Sequence, residues 1–374
     1  MATLQQAVQV PYAAPALQMR RIKEQILAAI ERVLEHGNYI LGPEVQEFET
    51  QFAGYCGTRY AVGVSSGTSA LVLGLQALGI GPGDEVITAP NSFVASASCA
   101  ALVGAKPTFV DVRRPDMNLD PDRVEAAITP RTRAIIAVHL TGHPADMDRI
   151  LEIGRAHRIP VIEDAAQAVG TVYHGRRTGS MGLLGCFSMH PLKNLHAYGD
   201  AGAITTNDEE LYRRLLKARN HGLRDRENVE FWSPNARLDT LHAAVLSVQL
   251  KCLDRWIMER RAIAAEYCAA LGDVVQVPEE APGCMHTYQT FMIKAEQRPG
   301  LLAHLQRKGI DAKVHYPTLL HTQEAAKALG YRPDAFPVAR WLADRIVSLP
   351  LSAELTPEQR TAVTAGVRSF YVHE

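Results

Sequence analysis

The chain has 374 residues, 47% hydrophobic and 21% charged, the balance of a soluble globular protein long enough for about two domains. A formal net charge of −1 with no Lys/Arg cluster excludes a general nucleic-acid binder. Six scattered cysteines without a CxxC pair, an N-terminus without signal-peptide order and no apolar run of membrane-spanning length point to a soluble cytoplasmic protein with reduced thiols.

Residues up to about Pro15 read as an arm. From Leu17 to His36 apolar side chains recur at helical spacing, and Gly37 supplies a stop. Ala61-Val62-Gly63-Val64 is a short apolar strand entering Ser65-Ser66-Gly67-Thr68-Ser69, with a helix from Leu71 onward. A strand, a small hydroxyl-bearing loop and a helix form the arrangement that binds phosphate, because a helix N-terminus offers free N–H groups and partial positive charge. A Ser/Thr N-cap explains the same residues without a ligand. Neither a P-loop nor the GxGxxG dinucleotide fingerprint is present, which removes a nucleotide-binding oxidoreductase from consideration.

Strands at Glu85–Thr88, Lys106–Val112 and Arg133–His139 follow, separated by helical stretches, one of small residues through Ala101. The helix from Met147 to His157 leads to Pro160-Val161-Ile162-Glu163-Asp164. Strands alternating with helices predict an α/β fold with a mostly parallel sheet between helices, and ligands in such sheets sit beyond the carboxyl ends of strands. Asp164 lies at such an end. It can cap the helical turn after it, or present a carboxylate to a cationic ring nitrogen. Arg176 and Arg177 read as an exposed hairpin tip.

Gly185-Cys186-Phe187-Ser188 is a strand that delivers Met189-His190-Pro191-Leu192-Lys193-Asn194-Leu195, followed by the glycine-rich Gly199-Asp200-Ala201-Gly202. A lysine among Met189, Leu192 and Leu195 is unusual, because burying an unpaired ammonium is costly. Held in an apolar pocket, its amine pKa falls and it becomes a nucleophile towards carbonyl carbon. Further on, Leu211–Ala218 reads as a charged helix and Thr240–Trp256 as a long helix placed to join two domains. Short strands at Val274–Val277 and Tyr288–Ile293, with helices at Leu301–Lys308 and Pro337–Ser348, suggest a smaller C-terminal α+β domain. The division is 1–250 for a large domain and 251–374 for a small one. The histidine pairs lack HExxH spacing, so no metal site is expected.

Taken together, Ser65–Leu71, Glu163-Asp164-Ala165-Ala166-Gln167-Ala168 and Phe187–Leu195, between Tyr39-Ile40-Leu41-Gly42-Pro43 and Val347-Ser348-Leu349-Pro350, resemble the DegT/DnrJ/EryC1/StrS family of sugar aminotransferases over nearly the whole chain. The resemblance implies the aspartate-aminotransferase fold (fold type I) and pyridoxal 5′-phosphate, with pyridoxamine 5′-phosphate as its aminated form. It makes Lys193 the catalytic residue that binds the cofactor covalently and moves a proton between the amino donor and the cofactor. Asp164 would pair with the ring nitrogen, Phe93 and Ala166 would flank the ring, and Gln167 would lie beside its phenolic oxygen. Gly67, Thr68 and Ser188 would hold the phosphate, joined by Asn235 from a neighbouring subunit, so a homodimer is implied. His190, His196, His286, Tyr288, His315, Tyr316 and His321 match positions near the acceptor.

The reaction implied is ping-pong transfer of an amino group from an amino acid, L-glutamate, to a keto group of a nucleotide-linked deoxysugar. Lys-Asn-Leu before Gly-Asp-x-Gly is similar to members acting on 3-keto sugars. A 4-keto sugar, a keto-cyclitol and a non-catalytic regulatory role are the alternatives. Met189, His190 and His196 depart from the family's usual residues around the lysine, and substrate identity is expected there.

Overall fold

The computed structural model describes residues 10–372, so most of the predicted arm lies outside the described residues. The strands, in chain order, are β1 (Tyr60–Val64), β2 (Glu85–Thr88), β3 (Lys106–Phe109), β4 (Thr132–Val138), β5 (Val161–Asp164), β6 (Val172–Tyr173), β7 (Arg176–Arg177), β8 (Leu184–Ser188), β9 (Gly202–Thr206), β10 (Cys284–Met285), β11 (Phe291–Lys294) and β12 (Ile346–Leu349). Seven form one sheet in the order β1-β9-β8-β5-β4-β2-β3. β9 alone runs antiparallel to its neighbours β8 and β1, and the remaining pairings are parallel. Strands covered by helices on both faces need apolar side chains on both faces, and β5 and β9 are buried at every position.

This topology gathers the loops after β1, β4, β5 and β8 at one edge of the sheet. The Gly67–Ala77 helix follows β1, and its N-cap Ser66 accepts the Ser69 N–H at 3.0 Å. Residues 189–201 form the loop between the antiparallel strands β8 and β9. The Ser188–Gly202 pairing and the bonds Met189 N–H to Ala201 O and Ala197 N–H to Met189 O, both 2.8 Å, close it.

The N-terminal helical stretch divides into Pro15–Arg20 and Lys23–His36, and Gly37 ends the second in the left-handed region at φ 70°. The predicted Thr240–Trp256 helix breaks at residues 251–252. Thr240–Leu250 is almost wholly buried, and a longer helix, Leu253–Leu271, follows. The predicted Pro337–Ser348 helix stops at Ala343, because β-branched Ile346 and Val347 pair with β11 in β12. Of Val274–Val277, only Gln276 pairs, in a single bridge to Lys294. Arg176 and Arg177 form β7 rather than a tip. Arg177 lies over the Tyr55 ring at 3.8 Å and bonds Asp254. Three helices escaped the sequence reading, Pro43–Cys56, Pro121–Ala126 and Pro357–Tyr371. Each has proline in its first turn, and the last has a Thr356/Gln359 capping box.

The largest apolar cluster surrounds the main sheet, with Ile87, Ile135, Ile162, Leu184 and Ile204 at its centre. A separate cluster joins Ile263, Tyr267, Phe291, Leu301, Val347 and Val363. Among the described residues no helix is long and apolar enough to cross a membrane.

Candidate active site

A cavity of about 430 Å³ opens at the strand-end edge. A larger, shallower depression, about 880 Å³, lies at the opposite ends of the strands, beside Asp84, Arg133 and His157. No lysine lines it, and its groups are those of a solvated surface.

Lys193 lines the 430 Å³ cavity and is only partly exposed. Burial disfavours its ammonium form and lowers its pKa to about 8, against the opposing pull of the Asp164 carboxylate. Asp164 is 5% exposed and faces the same cavity. Its Oδ2 accepts the Ser96 hydroxyl at 2.6 Å, Ser96 in turn pairs with Ser92 at 2.7 Å, and Oδ1 accepts the Ala166 N–H at 3.2 Å. The carboxylate thus caps the turn after β5 and also presents its charge to the cavity.

Gly67 and Thr68 begin the Gly67–Ala77 helix at the cavity wall, facing Ser188. A Cβ on Gly67 would stand 2.7 Å from the Ser188 Cβ, and one on Gly202 would stand 2.5 Å from the Ser66 carbonyl carbon. The two glycines let a helix N-terminus and a strand end approach closely enough to share one small ligand group. Phe93, Ala166 and Gln167 also line the cavity. The Gln167 Oε1 accepts the Thr141 N–H at 2.7 Å, and its Nε2 donates to the Tyr316 hydroxyl at 3.4 Å. Tyr316 lies 5.7 Å from the Phe93 ring, and burial pushes its phenol up to about 12.

Of the residues expected near the acceptor, His190, His315 and Tyr316 line the cavity. The structure places the others elsewhere. Met189 is fully buried in a core cluster with Phe187 and Leu195. His196, 2% exposed, donates from Nδ1 to the Lys193 carbonyl at 3.0 Å and lines a small neighbouring cavity instead. His286 is buried against Tyr288, with ring centroids 4.0 Å apart. It accepts the Tyr288 N–H and meets the Thr141 hydroxyl. Burial and nearby positive groups hold its pKa well below the usual imidazole value. His321 packs edge-on against Phe336 at 4.7 Å and bonds the Pro333 carbonyl. These histidines pack into the surrounding structure, since a strand-end motif does not tell which face of a loop a side chain takes. Asn235 is exposed, bridged to Asn220, and absent from the lining of this chain's cavity.

The sequence reading missed Tyr12, Ser92, Asp200, Gln289 and Thr290, which also line the cavity. The pair Ser92/Ser96, at helical i, i+4 spacing beside the Phe93 already singled out, was the one legible signal. Among the described residues no cluster of metal-ligating groups occurs.

A desolvated lysine, a hydrogen-bonded carboxylate, Phe93 and Ala166 on the cavity wall, and a donor-rich glycine cradle form a set that fits pyridoxal phosphate. Residues 20–368 match the DegT/DnrJ/EryC1/StrS aminotransferase family. The chain is 42% identical over 362 residues to the Streptomyces venezuelae dTDP-3-amino-3,4,6-trideoxy-alpha-D-glucose transaminase, covering 95% of this chain and 96% of that protein. It is 41% identical over 360 residues to a Geobacillus stearothermophilus protein named a pleiotropic regulatory protein, covering 95% and 97%. Its fold matches the crystal structure of S. venezuelae DesV in complex with a ketimine intermediate at TM-score 0.95 and 42% identity, over 98% of this chain and 99% of that one. It also matches Bacillus subtilis NtdA with bound pyridoxamine phosphate at TM-score 0.90 and 30% identity, over 98% and 86%. A pyridoxal-phosphate-bound form is among the solved neighbours as well. The chain belongs to the DegT/DnrJ/EryC1/StrS family and is a pyridoxal-phosphate-dependent aminotransferase.

Proposed function

We propose that the protein transfers the amino group of L-glutamate to the keto carbon of a nucleotide-linked deoxysugar, a 3-keto sugar, in a ping-pong cycle. The observation that carries this reading is Lys193, an amine of pKa about 8, in one cavity with the Asp164 carboxylate and the Gly67 cradle. The 3-amino product in the name of the S. venezuelae relative and the run Lys193-Asn194-Leu195 support the keto position. Bound pyridoxal phosphate supplies a carbonyl that takes the donor's amine and a ring that stores an electron pair.

The chain's own residues do the rest. Lys193 Nζ, partly neutral near pH 7, removes and returns a proton. Asp164, fixed by Ser96 and the Ala166 N–H, keeps a negative charge beside the ring nitrogen. Phe93 and Ala166 hold the ring from its two faces, and Gln167 lies at its phenolic oxygen. Gly67, Thr68 and Ser188 bind the phosphate through N–H and O–H donors. His190 and Tyr316 meet the sugar at the mouth. Among the described residues lining the cavity Lys193 is the one lysine and there is no arginine, so the nucleotide's phosphates call for groups from a second copy. Asn235, exposed and outside the lining of its own cavity, would serve a partner's site in a homodimer. Ile40 pairs with Asp239, and Tyr39, Ile40 and Leu41 are exposed large apolar side chains that a second copy would cover. The division 1–250 and 251–374 coincides with the break between the Thr240–Leu250 and Leu253–Leu271 helices. The free cysteines suit a reducing cytoplasm.

The deciding experiment uses pyridoxamine-phosphate-loaded enzyme with a panel of 3-keto and 4-keto nucleotide sugars and a keto-cyclitol. Turnover of the 3-keto member is expected to dominate, and preference for another member would overturn the assignment. Lys193→Ala is expected to abolish the borohydride-reducible protein–cofactor bond and to lower kcat at least about 10³-fold. A reducible lysine adduct surviving in that variant would refute the role.

A further inference from the structure

Lys193 needs more than a low pKa, because its amine must meet one carbon of the cofactor. The peptide groups around it show how it is held. The Lys193 N–H donates to the His190 carbonyl at 2.8 Å, and its own carbonyl accepts from His196 Nδ1 at 3.0 Å. The flanking groups, the Leu192 carbonyl and the Asn194 N–H, are both taken by one side chain from 95 residues away. Gln289 Nε2 donates to Leu192 O at 2.8 Å, and Gln289 Oε1 accepts from Asn194 N at 2.9 Å. A primary amide is the neutral side-chain group that can give and accept in this way, and it straddles the lysine.

Gln289 is itself anchored. The Arg260 guanidinium donates to the Tyr288 carbonyl at 3.0 and 2.8 Å and to the Gln289 carbonyl at 3.1 Å. The Thr287 N–H donates to Gly142 O at 3.1 Å and the Thr290 N–H to Thr141 O at 3.2 Å. Thr141 is in turn the residue whose N–H holds Gln167. The Asn194 amide adds a 3.4 Å bond to Thr287 O. Segment 287–290 therefore ties the lysine loop to the loop after β4.

We propose that Gln289 is a positioning residue that sets the backbone of Lys193, and hence where its amine meets the cofactor carbonyl. This rests on the role given to Lys193 above. Displacing a reacting group by about 1 Å costs on the order of a hundredfold in rate. A residue that merely fills the wall would affect all ligands alike.

The test uses cofactor-free full-length protein, wild type and Gln289→Met, which preserves length and volume and loses both bonds. Pyridoxamine phosphate binds without a bond to lysine, whereas pyridoxal phosphate reports on Nζ through the borohydride-trapped adduct. At pH 10, where the amine is neutral, Q289M is expected to bind pyridoxamine phosphate within about twofold of wild type and to form the adduct roughly tenfold to a hundredfold more slowly. Adduct formation at the wild-type rate, or equal loss of both properties, would overturn the proposal. Should Q289M not fold, Q289E keeps the acceptor for the Asn194 N–H and turns an oxygen on Leu192 O. Slowed adduct formation with intact pyridoxamine phosphate binding is again expected, and the wild-type rate again overturns it. Absence of any adduct in the wild type would instead refute the role of Lys193 itself.

Discussion

At the scale of single residues, Lys193 stands under two opposed influences, desolvation that lowers its pKa and the Asp164 charge that raises it, and desolvation is the larger. The sign has a measurable consequence. The neutral amine is the reactive form, so in the cofactor-free protein the rate of adduct formation with pyridoxal phosphate is expected to rise about tenfold from pH 7 to pH 9 and then level, tracking a pKa of about 8. A profile still climbing towards the ordinary lysine value would contradict the burial argument. Asp164→Asn removes the carboxylate that favours the ammonium, so its midpoint is expected to move down even as turnover is lost. Linkage runs the same way. The unfolded chain holds this proton more tightly, so the lysine's contribution to stability increases as pH rises from about 8 towards the unfolded value.

At the scale of elements, the phosphate cradle depends on how closely the Gly67–Ala77 helix meets the end of β8. Ser66 caps the helix through the Ser69 N–H, which leaves the first N–H groups of Gly67 and Thr68 for a ligand. Gly67→Ala places a methyl group 2.7 Å from the Ser188 Cβ, and the strain of such overpacking is about 1–3 kcal/mol. A titration with pyridoxamine phosphate is expected to show roughly tenfold to hundredfold weaker binding. Gly54→Ala, on an exposed helix face with open space around the new methyl, is the control expected to bind normally. Equal affinity in the two variants would show that the approach of helix to strand is not what the cradle needs.

At the scale of the whole molecule, the site described within one chain contains the lysine and carboxylate but not Asn235, which is exposed and outside the lining. If two copies share their sites, an inactive Lys193→Ala chain and an Asn235→Ala chain weakened in cofactor binding should complement. Random reassortment under two-fold symmetry leaves half the dimers mixed, and each mixed dimer has one intact site. Mixed and re-equilibrated variants should therefore recover about a quarter of wild-type activity. No recovery above the sum of the separate variants would mean that each chain completes its own site.

The sequence by itself determined the chemistry and the order of the main strands. Lys193, Asp164, Gly67, Thr68, Ser188, Phe93, Ala166 and Gln167 sit at strand ends and helix starts, where short-range patterns of glycine, hydroxyl and apolar residues specify local backbone, and all of them line one cavity. Boundaries near Leu250 and Ala343 were misread because tertiary packing, not local propensity, ends those helices: β12 forms only where β11 lies beside it. The orientations of Met189, His196, His286 and His321 were equally hidden, since a loop residue faces core or cavity according to what packs behind it. Only the tertiary structure brought in the partners contributed from far along the chain. Tyr12 and His315, Ser96 on Asp164, and Gln289 on both flanks of Lys193 have no local pattern, because a hydrogen bond between distant segments leaves no period in either.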